Sequence, residues 1–230
     1  MNIFITGASR GLGYELTKAS LQGGHNVIAG VRNITGQLQL LTEQFPGQLT
    51  LVTLDVTSEE NLRTLSETLK QKQIPLHAII NNAGILLGRG QTIETLSLEE
   101  VKLTYDINVI GPMNVIKHLL PMMSRESRGV IINVSSEAGS ITNAYGGDFS
   151  YATSKTALNM YTKQLRSYLG ETMIRVFAIH PGWMKTEMGG DQAPGDPKES
   201  ASDILSIVEG KTTIPNDSFF VDTKGQNMPI

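Results

Sequence analysis

The 230 residues predict an α/β fold: a single doubly wound parallel sheet of about seven strands with helices on both faces. Three observations carry that prediction. Short runs that are apolar throughout alternate with amphipathic stretches along the whole chain, the pattern of strands covered on both sides by crossover helices. The chain opens on Asn2-Ile3-Phe4-Ile5, runs through Thr6-Gly7-Ala8-Ser9-Arg10-Gly11-Leu12-Gly13, and continues in a helical pattern from Tyr14 to Gly23-Gly24, giving strand, glycine turn and helix. Composition fits one domain over 1–230, since 40% of the residues are hydrophobic and no repeat or low-complexity segment divides the chain.

The remaining elements follow in order. Asn26 to Val31 and Leu49 to Leu54 read as buried strands, with a short helix from Gln37 to Phe45 between them. Helix Glu59 to Gln71 precedes strand His77 to Ile80, and a long helix is expected from about Glu99 to Met123. Strand Val130 to Val134, helix Tyr151 to Leu169 and strand Ile174 to Ile179 come next; helix Ser200 to Val208 and strand Phe219 to Val221 close the chain. Leu158, Tyr161, Leu165 and Leu169 mark the core stripe of their helix, and Tyr168 is read as packing with them.

Composition also excludes functions. The net charge is −3 and there is no basic cluster, so neither nucleic acid nor a membrane surface is an expected partner. There is no cysteine, which removes disulfides and thiolate metal sites, and no metal is assigned. A strand starting at Asn2 is expected to leave no room for a targeting peptide, and no apolar run approaches a membrane span, so a cytoplasmic location is expected.

Ligands of such a sheet sit at the carboxyl ends of the strands. In the first turn Gly7, Gly11 and Gly13 allow a tight turn, close approach of a ligand and close packing of the helix, whose free N–H groups suit a phosphate. The second strand ends at Val31-Arg32. With Arg10, Arg32 supplies two guanidinium groups where an acidic residue would otherwise accept from a ribose, which favours NADP(H) over NAD(H). Asp55, ahead of Val56, can accept from an adenine amino group or cap the following helix. Asn81-Asn82-Ala83-Gly84 places small residues where backbone must approach a bound molecule. Pro112 has no N–H for the carbonyl of Asn108, four residues back, which is left open to a water or marks a simple kink. Tyr151 and Lys155 lie one turn apart on one helix face, and an ammonium beside a phenol is expected to draw its pKa toward neutrality. Pro181-Gly182 turns the chain sharply so that Thr186 can reach back over a ligand, while His180 is read as serving backbone hydrogen bonding. Ile85, Leu86, Ile141, Tyr145, Trp183 and Met188 are candidate cleft residues, an apolar set.

Thr6 to Gly13, Asn81 to Gly84, Asn108, Ser136, Tyr151 to Lys155 and Pro181-Gly182 through Thr186, in this order, resemble the short-chain dehydrogenase/reductase superfamily. His180 to Gly190 and Phe219 to Pro229 look most like its short carbonyl reductases of the sniffer and C-factor type. The resemblance implies a seven-stranded Rossmann sheet and catalysis by Asn108, Ser136, Tyr151 and Lys155. It implies NADP(H) held by Gly7, Ser9, Arg10, Gly11, Leu12, Gly13, Arg32, Asp55, Val56, Asn82, Ala83, Gly84, Tyr151, Lys155, Pro181, Gly182 and Thr186. It further implies hydride transfer between the cofactor and a small-molecule carbonyl or alcohol, and a homodimer or homotetramer. Two departures stand out: Ser136 and Tyr151 are farther apart than in many members, enlarging the loop Ile141 to Ser150, and the stretch after Thr186 is short, which predicts an open cleft. The alternative reading is an NAD(P)-binding signalling or redox-sensing protein of C-factor type with little turnover.

Overall fold

The computed structural model describes all residues, Met1 to Ile230. Seven strands form one parallel sheet: β1 (Asn2–Thr6), β2 (Asn26–Val31), β3 (Leu49–Thr53), β4 (Ala78–Asn81), β5 (Gly129–Val134), β6 (Ile174–His180) and β7 (Phe220–Asp222). Their spatial order is β3-β2-β1-β4-β5-β6-β7. The chain therefore steps outward from β1 to β3 and then returns to the other side of β1. That reversal opens a crevice above the carboxyl ends of β1 and β4.

Alternation along each strand sends side chains to opposite faces. Ile3 and Ile5 of β1 join a core shared with α1 (Gly11–Gln22), α2 (Gly36–Gln44) and α7 (Pro197–Glu209), whereas Phe4 between them joins the core under α3 (Glu59–Gln71), α5 (Gly111–Leu119) and α6 (Phe149–Tyr168). Each fully buried Leu, Ile or Phe contributes roughly 1.5–3 kcal/mol. No helix is long and apolar enough to cross a membrane.

The strands fall within a residue or two of the positions expected from sequence, α1 and α7 each begin three residues before the expected start, and one long helix is interrupted. The expected helix from Glu99 to Met123 is divided into α4 (Leu98–Tyr105), a π-helical turn at Asp106–Ile110, α5, and a 3-10 turn at Leu120–Met122. The wider turn accommodates Pro112, and Gly111 N–H bonds five residues back to Asp106. Tyr168 is also corrected: its side chain is 68% exposed and faces Arg125, 5.6 Å from the ring centre, instead of entering the core.

The sharpest packing constraint lies between β1 and β4. A Cβ on Gly13 would overlap the Gly7 carbonyl oxygen and stand 2.5 Å from the Asn82 amide nitrogen. Gly13→Ala should therefore destabilise the fold by about 3 kcal/mol, read as a lowered urea midpoint; an unchanged midpoint would contradict this packing.

Candidate active site

The glycine turn is built against the end of β4. Gly7 and Gly11 have φ of 66° and 55°, the left-handed region. The Thr6 hydroxyl accepts from the backbone N–H groups of Asn82 and Ala83, both at 3.0 Å, and the Asn82 side chain donates to the carbonyls of Thr6 at 2.9 Å and Gly7 at 3.2 Å. Asn82 is thus a latch on the turn. Arg10 occupies the N-cap of α1 in extended backbone and gives no side-chain cap, so Gly11, Leu12 and Gly13 present the uncapped first turn beside Ser9. Here a phosphate fits.

Four side chains meet at the neighbouring strand ends. Asn108, in the π-turn, accepts from Ile85 N–H at 2.8 Å through Oδ1 and donates through Nδ2 to the Ile85 carbonyl at 2.9 Å and Ser154 Oγ at 3.1 Å. Ser154 Oγ in turn donates to the Tyr151 carbonyl at 2.7 Å, which ties the β4 loop to the first turns of α6. Lys155 is buried and donates through Nζ to the Val134 carbonyl at 2.8 Å, with Nζ 5.5 Å from the Tyr151 ring centre. Gly84 lies between these groups: a Cβ there would stand 3.3 Å from Asn108 Oδ1 and 3.7 Å from Lys155 Nζ. Ser136 follows β5, its Oγ accepting from Ala138 N–H at 3.2 Å in a tight turn.

The electrostatics differ from the sequence expectation. Burial pushes the Tyr151 phenol above its ordinary value, and the neighbouring Ser136 hydroxyl only partly draws it back. Lys155 does not bring it toward neutrality. The ammonium is turned to the Val134 carbonyl, and burial pulls its own pKa down to about 8.

The other predicted positions are distributed around this centre. Arg10 pairs with Glu187 at 2.5 Å, and a Cβ on Gly11 would touch the Thr186 methyl at 3.4 Å, so the loop after β6 leans on the glycine turn. Thr186 Oγ1 itself accepts from Gly189 N–H at 3.1 Å. Arg32 is exposed at the end of β2 and makes no ion pair. Asp55 accepts from the backbone N–H of Thr57 at 2.9 Å, which holds its carboxyl below the usual range, and from the Thr57 hydroxyl at 2.7 Å. Ser58 is the cap of α3, so Asp55 is not. Val56 is buried, its carbonyl accepting from Asn114 at 2.9 Å. Gly182, after Pro181, has φ of 86°. His180 Nδ1 accepts from Glu137 N–H at 3.1 Å, the backbone role expected of it.

Similarity to known proteins agrees with this geometry. The sequence model described as short chain dehydrogenase matches residues 1–196. The chain belongs to that family. It is 31% identical over 209 residues to L-xylulose reductase of Caenorhabditis elegans, covering 89% of this chain and 80% of that protein. Its structure is similar to carbonyl reductase Sniffer of D. melanogaster, with a TM-score of 0.90 at 29% identity, covering 100% of this chain and 99% of the other. It is likewise similar to NADPH-bound carbonyl reductase from chicken fatty liver, with a TM-score of 0.89 at 31% identity over 100% and 98% of the two chains.

Within this short-chain dehydrogenase, sequence reasoning missed Asn159. Its Oδ1 accepts from Ser135 Oγ at 2.6 Å and its Nδ2 donates to the Gly139 carbonyl at 3.2 Å, so one buried amide holds both flanks of Ser136. The signal was its position one turn beyond Lys155 on the same face. Ile141 was placed in the cleft but opens onto a separate groove of about 510 Å³ with Ala144 and Met160, on the side of α6 away from Lys155.

Lys155 gives a signed prediction. An unfolded chain keeps its ordinary 10.5, so between about pH 8 and 10.5 the folded protein has released a proton that the unfolded chain retains. Its contribution to stability must rise through that window, by on the order of 3 kcal/mol. Relative to Lys155→Met, the wild type should gain thermal stability as pH rises from 8 toward 10.5; parallel melting curves across that range would refute a buried, depressed lysine.

Proposed function

We propose that this short-chain dehydrogenase is an NADPH-dependent carbonyl reductase with Tyr151 as proton donor. The observation that carries the proposal is a protonated, half-buried phenol with the Ser136 hydroxyl and the Lys155 ammonium beside it, next to a glycine turn with an uncapped helix. The residues present fit a dinucleotide: the first turn of α1 lacks a capping side chain, and a Cβ on Gly7 would stand 2.8 Å from Ala83 Cα, so both flanks of the turn are kept small. Gly11, Leu12 and Gly13 would hold the pyrophosphate, Arg10 and Arg32 the additional phosphate of NADP, Asp55 and Val56 the adenine, and Lys155, Pro181, Gly182 and Thr186 the nicotinamide end. When bound, that cofactor supplies hydride to the carbonyl carbon.

The chain's own groups handle the proton. Ser136 Oγ donates to the substrate oxygen and holds it against the phenol. Tyr151 O–H then passes its proton to that oxygen as negative charge develops there, a transfer that a raised phenol pKa permits because an alkoxide is a far stronger base. The resulting tyrosinate lies near the Lys155 ammonium, whose Nζ is 5.5 Å from the ring centre, and a water at the Asn108 carbonyl would return the proton through Lys155. Carbonyl-reductase relatives support the assignment, which for this chain is a proposal.

Tyr151→Phe should lower kcat by at least about a hundredfold while leaving NADPH binding, read by its fluorescence, largely intact; retained turnover would remove Tyr151 from the acid role. If NADPH binds tightly but no ketone, aldehyde or quinone is reduced, the sensing alternative holds instead. Asn159→Leu should lower kcat about 10- to 100-fold by loosening the Ser136 turn, with KM and the NADPH Kd preserved; Asn159→Asp, which keeps the acceptor for Ser135, should restore part of the loss. Equal loss in both variants would assign Asn159 to folding alone.

A further inference from the structure

The cleft mouth carries one cation that this mechanism does not use. Arg89 stands between Gly88 and Gly90, whose φ values of 72° and 80° bend the loop after β4 on both sides of it. The base of the loop is fastened to the start of α6: Ser150 Oγ, one residue before Tyr151, donates to the Leu87 carbonyl at 3.0 Å. The tip reaches the opposite wall, where Arg89 Nη1 donates to the Met188 carbonyl at 3.3 Å. Arg89 therefore spans the mouth from the catalytic helix to the loop after β6. Its charge acts on the phenols of both Tyr151 and Tyr145, drawing each downward.

No carboxylate answers that guanidinium. Arg10 pairs with Glu187 and Arg63 with Glu60 and Glu67, whereas Arg89 has only the neutral Met188 carbonyl, at a long distance. The acids nearby are already engaged. Asp148 accepts from the Tyr145 hydroxyl at 2.9 Å, and Glu100 accepts from Gln91 Nε2 at 2.8 Å. A guanidinium offers five donors in a fork matched to a carboxylate, and charge-assisted bonds are roughly twice as strong as neutral ones. Exchanging the Met188 carbonyl for a substrate carboxylate would replace a neutral acceptor with a charged one.

We propose that Arg89 anchors an anionic group on the substrate, so that the preferred substrates are oxo acids whose carboxylate lies a few bonds from the reacting carbonyl. This deepens the carbonyl-reductase reading and rests on it. The carboxylate is a spectator in the reaction; hydride and proton still add across the C=O bond. The apolar residues Trp183 and Met188 suit the intervening carbon chain.

The test pairs linear 3-, 4- and 5-oxo acids with their methyl esters, using wild type and Arg89→Gln. Expected for the wild type is a kcat/KM at least about tenfold higher for one of the acids than for its ester, with the preference shrinking as salt is raised. In Arg89→Gln the KM for that acid should rise about tenfold and the acid-to-ester ratio of kcat/KM should fall toward one, with the NADPH Kd unchanged. Binding is read separately by calorimetry on protein loaded with NADP+, where no reduction can occur, and the acid should bind about tenfold more weakly to Arg89→Gln. Acid and ester handled alike by the wild type, or an acid preference that survives Arg89→Gln, would overturn the proposal. Were no carbonyl compound reduced at all, the reductase reading would fall, and calorimetry would still decide Arg89: acid binding that depends on it sustains an anion site, and equal binding to both proteins removes it.

Discussion

The candidate site is organised by the burial of one ammonium. Lys155 is almost completely shielded from solvent, and among protein groups its Nζ donates only to the Val134 carbonyl. A buried cation with one neutral acceptor is costly, which is why its pKa falls to about 8. The surrounding sequence encloses it by bringing backbone close. Gly84 on one side and Gly139 on the other lack the side chains that would hold β4 and β5 away; a Cβ on Gly139 would stand 2.9 Å from Lys155 Cβ and 3.0 Å from the Asn159 amide. The π-turn then brings the Asn108 amide to Ile85 and Ser154, completing the enclosure from a third direction.

Two clamps extend from that centre to the cleft walls. Asn108 and Ser154 connect the β4 loop to the backbone of Tyr151, and Asn159 connects the Ser136 turn to the same helix. Each clamp is a buried amide with both its donor and its acceptor sides used, the condition under which such a network fixes position instead of wasting stability. The outer ring is looser. Arg10 with Glu187 and Arg89 with Met188 are exposed contacts, worth little individually and readily exchanged for charged ligand groups. Rigidity is thus concentrated beneath the reacting groups and exchangeability at the mouth.

How much of this was legible follows from the range of each interaction. Strands and the glycine turn were readable because their signals are local: short runs that are β-branched and apolar throughout, and glycines where backbone must turn or approach. Tyr151 with Lys155 was readable because four residues on a helix define a face. Pro112 marked the helix interruption correctly, but the response, a π-turn bonded from Gly111 to Asp106, depends on packing against Val56 and was not. Asn159 stayed hidden because its meaning lies in Ser135 and Gly139, 24 and 20 residues away. The depression of Lys155 and the elevation of Tyr151 were missed for a related reason: pairwise spacing suggests charge attraction, while desolvation depends on everything that closes around the pair.

Those opposed shifts bear on direction. With the phenol raised and the amine lowered only to about 8, both groups hold their protons at neutral pH. A proton on the phenol is what carbonyl reduction consumes, and the opposite reaction would need it removed first. Raising pH past 8 neutralises the ammonium before the phenol ionises, so alkaline conditions would weaken the partner of a developing tyrosinate without first creating the base that alcohol oxidation requires. Burial alone therefore keeps the phenol protonated, in the form that donates to a developing alkoxide.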